Sequence, residues 1–458
     1  MRVAKETFKD TLLHDKNDWI RSKLTNVSAS DANQFWSSYK RLFGDKKTNH
    51  IGNLMKDDHL YTREEEKEQL LFDTFFYSDS LSNPNYDSAF AEDISEEYAN
   101  VLQSCTETSH QSQEESQQDL LNSIITSAEL ESAIHGLKTQ GKCSDGDSVN
   151  PIMLKSLGPV AKHSLLVAFN RCLSSGNWAW THSEVCFIRK PDKNSYLDPG
   201  SYRPITISSY LGKLLERILE KRLRTFYDLP NIFDETQEGF CPNRSTSRYL
   251  YRLLSKLNEA KRKRMNAVIL FIDFSKAFDS VWVEGLIVKL NRKGVSGNFL
   301  LLLNNFLSNR SISIRLNGKT YERRLCSILG LPQGSVLAPL LFIIFVSDMP
   351  GTPSGVSMHP STDIDLFKYA DDGTISAIGP DLGRCQAILQ SMCDSLYVWC
   401  CRWRLTINCN RNKTEAVVLR VKGTAVDVLD ILPKLQCGTK TIEYVRKSKV
   451  LREGKAEC

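Results

Sequence analysis

Apolar residues recur along this chain with two periods, and the change between them sorts it into regions. From Met1 to about Asn53 the anchors are sparse and helical in spacing. Phe35, Tyr39 and Phe43 stand at i, i+4 and i+8 on one face, with Trp36 beside them. Glu64 to Tyr77 predicts a second helix that buries Leu70, Leu71, Phe72, Phe75 and Phe76. Residues 1–77 are therefore expected to be a helical N-terminal linker region. From Ser78 to Gln118 Ser, Gln, Asn and acids dominate, so 78–118 is expected to be an acidic, disordered linker. Ser127, Leu130, Ile134 and Leu137 predict a capped helix ending at Gly141.

Beyond Lys142 the elements become short and dense. Helices are predicted over Val160–Leu173, Gly212–Tyr227, Leu286–Leu307 (broken at Gly294 and Gly297), Leu337–Val346 and Cys385–Cys400. Strands are predicted at Val185–Ile188, at Ala267–Phe274 and at Ile312–Leu316 before an Asn317-Gly318 turn. Leu366–Ile378 predicts two more around a tight Asp-Asp-Gly turn. The dense region, 119–420, is expected to be one folded α+β unit, followed by a degenerate or truncated tail over 421–458.

Charge sharpens this picture. The chain of 458 residues has a net charge of +5, yet Glu68–Leu137 holds no Lys or Arg and fourteen acids, which leaves +19 on the rest. That remainder suits a polyanion such as nucleic acid, or is an ordinary mixed-charge surface. The thirteen cysteines show no C-x2-C spacing, as expected of reduced thiols rather than a zinc site. The longest apolar run, Val336–Val346, is too short to span a bilayer. The expectation is no membrane partner and a place in the nucleus, the cytoplasm or both.

Candidate chemistry lies in two segments. Ile269-Leu-Phe-Ile-Asp273 delivers one carboxylate at the end of an apolar strand, where it needs a partner or a metal. Tyr369-Ala-Asp371-Asp372-Gly373 places two more at a hairpin tip. If the strands lie side by side, the acids converge into a hard-oxygen site suited to Mg²⁺, with Mn²⁺ as a substitute. Two such ions about 3.5–4 Å apart serve in-line phosphoryl transfer. Between these segments lies Gly330-Leu-Pro332-Gln333-Gly334-Ser335, which is also plain turn chemistry.

The order of the Asp273 segment, Pro-Gln-Gly-Ser and Tyr-Ala-Asp-Asp resembles the palm signature of reverse transcriptases. Further segments resemble the non-LTR, LINE-type branch of jockey or CR1 character: Ser201-Tyr-Arg203-Pro-Ile-Thr, Gln237-Glu-Gly239-Phe-Cys-Pro-Asn-Arg244-Ser-Thr246, Ala277-Phe-Asp-Ser-Val-Trp282, and Trp403-Arg-Leu-Thr-Ile-Asn408 followed by Lys413-Thr. The resemblance covers roughly Phe35 to Leu419. It implies right-hand fingers and palm, a split βαβ (ferredoxin-like) palm core, and RNA-directed DNA synthesis with an RNA template, a DNA primer and dNTP. The alternative is a weak or inactive retroelement remnant that binds nucleic acid.

The same resemblance implies roles for matching positions. Asp273, Asp371, the less direct Asp372 and the backbone carbonyl of Phe274 would bind two Mg²⁺ ions. Lys190 and Arg203 would contact the triphosphate, Phe278 would crowd the sugar 2′ position, and Gln333 would line the nucleotide pocket. Lys413 would give a proton to pyrophosphate, or is a solvated lysine. Arg217, Lys221, Arg222, Arg224 and Arg244 are template-contact candidates. Lys261-Arg-Lys-Arg264 is a nuclear address, a template contact or a solvated loop. Ala338 stands where Gly is common, and Leu331 where Val is common. Cys241 and Pro242 replace the usual basic residues. Full-length elements of this family usually carry an endonuclease upstream; its nicking function is expected to be absent from this chain, and the thumb is expected to be largely missing after Leu419.

Overall fold

A computed structural model of the chain describes residues 50–76, 83–111, 120–138, 149–191, 193, 195–227, 235–322, 324–325, 330–351, 362–410, 412–420 and 432–445. All of these residues except His50 fall in the second of two units, Ile51–Cys458. The expected helix through Phe35, Tyr39 and Phe43 lies outside the described residues.

In chain order, a short hairpin β1 (Leu54–Lys56) and β2 (His59–Tyr61) leads into α1 (Glu64–Phe76), α2 (Ser88–Gln111), α3 (Ser127–His135), α4 (Pro151–Lys155) and α5 (Pro159–Ser175). Strands β3 (His182–Arg189) and β4 (Tyr202–Ser208) precede α6 (Tyr210–Tyr227) and α7 (Thr246–Arg262). Then come β5 (Asn266–Ile272), α8 (Val283–Arg292), α9 (Gly297–Ser308), β6 (Ser311–Leu316), β7 (Lys319–Thr320), β8 (Arg324–Leu325) and α10 (Ala338–Phe345). The hairpin β9 (Asp363–Tyr369) and β10 (Asp372–Gly379), helix α11 (Leu382–Arg402), β11 (Glu415–Leu419), β12 (Leu435–Cys437) and β13 (Lys440–Tyr444) complete the described part.

Two larger sheets organise these elements. The first runs β12-β13-β11-β5-β10-β9, with β5 antiparallel to both β10 and β11. β5 is wholly apolar after Asn266 and is buried from Ala267 to Ile272, as a central strand covered on both faces must be. One face packs on the main core, which includes Leu286, Phe342 and Met392. The other packs on α7 through Tyr249, Leu253 and Phe367. The second sheet runs β4-β3-β6-β7, with β8 also on β6, and buries Val185, Phe187, Tyr202 and Ile314 against Leu70, Leu71 and Phe75 of α1.

Five expectations need correction. The 78–118 stretch is not a disordered linker where it is described, because Ser88–Gln111 is helical and packs on α8 and α9. Its buried stripe, Ala91, Ile94, Val101 and Cys105, keeps helical spacing but is built mainly of modest side chains set among acids, which hid it from composition. Polar ties reinforce it: Tyr98 Oη donates to Asn304 Oδ1 at 2.9 Å, and Ser95 Oγ donates to Glu284 Oε2 at 2.9 Å. The 1–77 region is not all helical, since β1–β2 precedes α1. The 421–458 tail is not all degenerate: β12–β13 extends the first sheet through parallel pairing with β11, and buries Leu435, Cys437 and Ile442. With β13 in that sheet and α1 on the second, 119 and 420 do not bound the folded unit. Helix α3 is capped by Thr126 in a reciprocal box with Glu129 and ends at Gly136, not Gly141.

Candidate active site

β5 presents Asp273 just past its last ladder residue, where Ile272 faces Gly373 of β10. The segment after α11 takes hold of it. Asn408 Nδ2 donates to Asp273 Oδ2 at 2.9 Å, and Lys413 Nζ lies 3.0 Å from Oδ1. The Asp273 backbone N–H donates to Thr414 Oγ1, and Asn408 N–H donates to the Asp273 carbonyl at 2.8 Å. Phe274 faces Ile407 in a bridge whose bonds run through Asp273 and Ser275 (Ser275 N–H to Thr406 carbonyl, 2.8 Å), so the bridge leaves the Phe274 carbonyl unused.

The β9–β10 hairpin turns through Ala370-Asp371, since Tyr369 pairs with Asp372. The turn therefore lies one residue earlier than the expected Asp-Asp-Gly. Ala370 is left-handed at φ 57° and is braced by its neighbour segment. Gln237 Oε1 accepts from Ala370 N–H at 3.0 Å and from Gly239 N–H at 2.9 Å. Lys368 N–H donates to the Thr236 carbonyl and Glu238 N–H to the Lys368 carbonyl. Gly239 lies so close that a Cβ there would sit 2.3 Å from Ala370 N.

Asp371 is held above the ordinary carboxylate range by burial and by repulsion from Asp273, against attraction from Lys413 and Arg203. These mutual effects place Asp273, Asp371, Lys413 and Arg203 around one site. The charge of Asp372 acts on Tyr249 of α7, the opposite side of the strand from Asp371 by side-chain alternation. Among the described residues no three His, Cys, Asp or Glu side chains form a metal-sized group; the interaction seen between the expected acids is the repulsion between Asp273 and Asp371. The Asp273 and Asp371 carboxylates, with a carbonyl that the bridge does not use, are hard oxygen donors of the kind that fits Mg²⁺, which keeps waters and substrate oxygens as its other ligands.

The second sheet supplies cations. Lys190 follows β3 and donates to the Gly200 carbonyl at 2.8 Å; burial, then Lys193 and Arg203, lower its pKa. Arg203 is exposed on β4, opposite Ile188. Phe278 is half-buried and stacks on Phe342 with ring centroids 4.7 Å apart, so it is a core contact as well as a candidate wall. Gln333 Nε2 donates to Asp279 Oδ1 at 2.8 Å. Burial raises the Asp279 carboxyl to about 6, against the Gln333 bond and the charges of Lys276, Lys190 and Arg310.

The basic helix α6 corrects another expectation. Arg222 is not a template contact: its side chain is 3% exposed, and its guanidinium donates to Glu129 and to the carbonyls of Leu121, Ser123 and Ile124. It belongs to the packing of α6 against α3. Arg224 is ion-paired with Glu220, and Arg217 has a buried Nε. Lys221 is exposed, with Nζ 3.4 Å from Ser132 Oγ, and Arg244 donates to the Gln237 carbonyl.

Four residues of the site framework had no role assigned from sequence: Asp279, Glu216, Gln237 and Asn408. Glu216 is 1% exposed and accepts from Ser335 Oγ and from the N–H groups of Val336 and Leu337, which caps the entry to α10. Its signal was available, since it sits beside Leu215 and between Leu219 and Gly212 on the buried side of α6.

A family model described as "Reverse transcriptase (RNA-dependent DNA polymerase)" matches residues 188–445. The chain is 30% identical over 298 residues to the "RNA-directed DNA polymerase from mobile element jockey" of Drosophila melanogaster, covering 64% of this chain and 32% of that protein. It is 33% identical over 229 residues to the "Probable RNA-directed DNA polymerase from transposon BS" of the same fly, covering 50% and 25%. The Pol polyprotein of the type-1 retrotransposable element R2 of Popillia japonica is 27% identical over 252 residues, covering 54% and 34%. The chain thus spans between a quarter and about a third of the length of these relatives.

Proposed function

Because the chain belongs to the reverse transcriptase (RNA-dependent DNA polymerase) family, we propose that it copies an RNA template by joining dNTPs to a DNA primer, as the polymerase portion of a LINE-type element. The observation that carries this reading is the meeting of Asp273 and Asp371, mutually repelling acids, with Arg203 and Lys413 beside them. The strand order β11-β5-β10-β9, antiparallel throughout, supports a split βαβ palm, and the sheet built on β3, β4 and β6 would be the fingers.

Asp273, Asp371 and the Phe274 carbonyl would hold the divalent ions, Mg²⁺ or Mn²⁺. Once bound, these supply charge neutralisation at the phosphates and a lowered pKa at the primer 3′-hydroxyl. The chain's own residues do the positioning. Asn408 fixes one oxygen of Asp273 and so its rotamer. Arg203, exposed and forked, suits triphosphate oxygens, and Lys190 adds a second positive charge beside it. Lys413 pairs with Asp273, from where it can reach a phosphate leaving group. Phe278, braced by Phe342, would bar a 2′-hydroxyl by bulk, and Gln333 would line the nucleotide pocket.

The test is primer extension on an RNA template with Mg²⁺. DNA product is expected from the wild type, with a loss on the order of 10³-fold in Asp273→Asn. RNA binding without any incorporation by the wild type would favour the remnant reading instead.

A further inference from the structure

The pocket beside the second sheet holds two acids that the chemistry above leaves unused, Asp279 and Glu216, together with Gln333, Thr206 and Arg310. We propose that Asp279 is a positioning residue that decides which end of the Gln333 amide faces the incoming nucleotide. The inference rests on the reading of Gln333 as part of the nucleotide pocket.

An ionised carboxylate only accepts, so it takes the N–H end of an amide and not the carbonyl end. The 2.8 Å bond from Gln333 Nε2 to Asp279 Oδ1 therefore turns Gln333 Oε1 the other way, as an acceptor. Without such a partner the two ends of an amide are nearly the same size and shape, and either can face the ligand. The backbone around Gln333 has little freedom to respond. Its carbonyl accepts from Thr206 N–H at 2.7 Å, and Leu331 N–H donates to the Phe278 carbonyl at 2.8 Å. Gly334 is left-handed at φ 115°, with its Cβ position 2.5 Å from the Thr206 carbonyl oxygen. Ser335 and the next two residues are bonded to Glu216. The amide is the part left to turn.

Asp279 also carries the means of reversing it. The charged groups acting on it are Lys276 of its own loop, Lys190 after β3 and Arg310 after α9; Glu216 of α6 lines the same pocket. Its carboxyl titrates near 6 because burial outweighs those cations. Once protonated it offers a donor as well as an acceptor, so Oε1 can take the place of Nε2 and the preference that kept Nε2 away from the nucleotide is lost. Asp279→Asn is uncharged at every pH and can accept either amide end, so it imitates the acid form.

The experiment measures KM for dNTP and kcat separately against pH in wild type, Asp279→Asn, Gln333→Ala and the double variant. In the wild type KM rises as pH falls through about 6. Asp279→Asn shows a KM raised about tenfold and flat over that range, with kcat changed far less. In the Gln333→Ala background both the acidic rise and the effect of Asp279→Asn disappear, because Asp279 acts only through that amide. A KM that rises in acid equally with and without Gln333, or additive effects of the two substitutions, would overturn the proposal; the first comparison stands even if Asp279→Asn fails to fold. If Gln333→Ala leaves KM unchanged at all pH values, the pocket assignment of Gln333 fails and the proposal falls with it.

Discussion

Arg222 shows most sharply how one residue's surroundings override its type. A guanidinium with 3% of its surface exposed is stable only because Glu129 and three carbonyls take its donors. Removing it takes a donor from each of those acceptors and leaves Glu129 with its Thr126 bonds, and Arg222→Ala is expected to cost about 3–5 kcal/mol in denaturant unfolding. Glu129 reports the same pair through pH. Burial alone would raise its carboxyl, but the Arg222 and Thr126 bonds win and hold it at about 2, below its ordinary 4.5. A lowered pKa means that the folded form binds the proton less well than the unfolded form. The pair's contribution, on the order of 3 kcal/mol, is therefore full above pH 4.5 and is lost as pH falls toward 2. Arg222→Ala that melts like the wild type, with the same acid sensitivity, would contradict this account. Sequence alone gave Arg222 the same standing as Lys221, since basic periodicity on a helix does not say which side another helix covers.

At the scale of elements, the chain was most legible where pattern and turn chemistry agreed. The β5 run, the break between α8 and α9 and helix α1 are where the apolar spacing put them, and the β9–β10 hairpin is there too with its turn one residue earlier. Helix α2 escaped because Ala91 and Cys105 bury a face without raising local hydrophobicity. The Gln237–Gly239 segment escaped for a different reason: its work is done by backbone contact with a strand more than a hundred positions away. The hairpin that carries Asp371 depends on that contact. Gly239→Ala would force a methyl group into the space of Ala370 N and shift the Asp371 turn. Single-nucleotide incorporation is expected to fall about 100-fold, the usual consequence of misplacing a reacting group by about 1 Å. Gln237→Leu, which removes the acceptor of Ala370 N–H, should act in the same direction. Full activity in Gly239→Ala would show that the turn is placed by something else.

For the molecule as a whole, two sheets with separate cores would, on the proposed reading, meet the substrate with opposite charge. The first supplies the acids Asp273 and Asp371, and the second supplies Lys190 and Arg203. The division was readable as an ordered set of motifs, but the pairing of β12–β13 with β11 was not, because five- and three-residue strands carry too little pattern. The central claim is that the two acids act as one unit. Its most direct test is single-turnover primer extension by Asp273→Asn, Asp371→Asn and the double variant. Each single substitution is expected to lose on the order of 10³-fold and the double variant to lose no more; losses that multiply in the double variant would show two independent contributions and contradict the shared site.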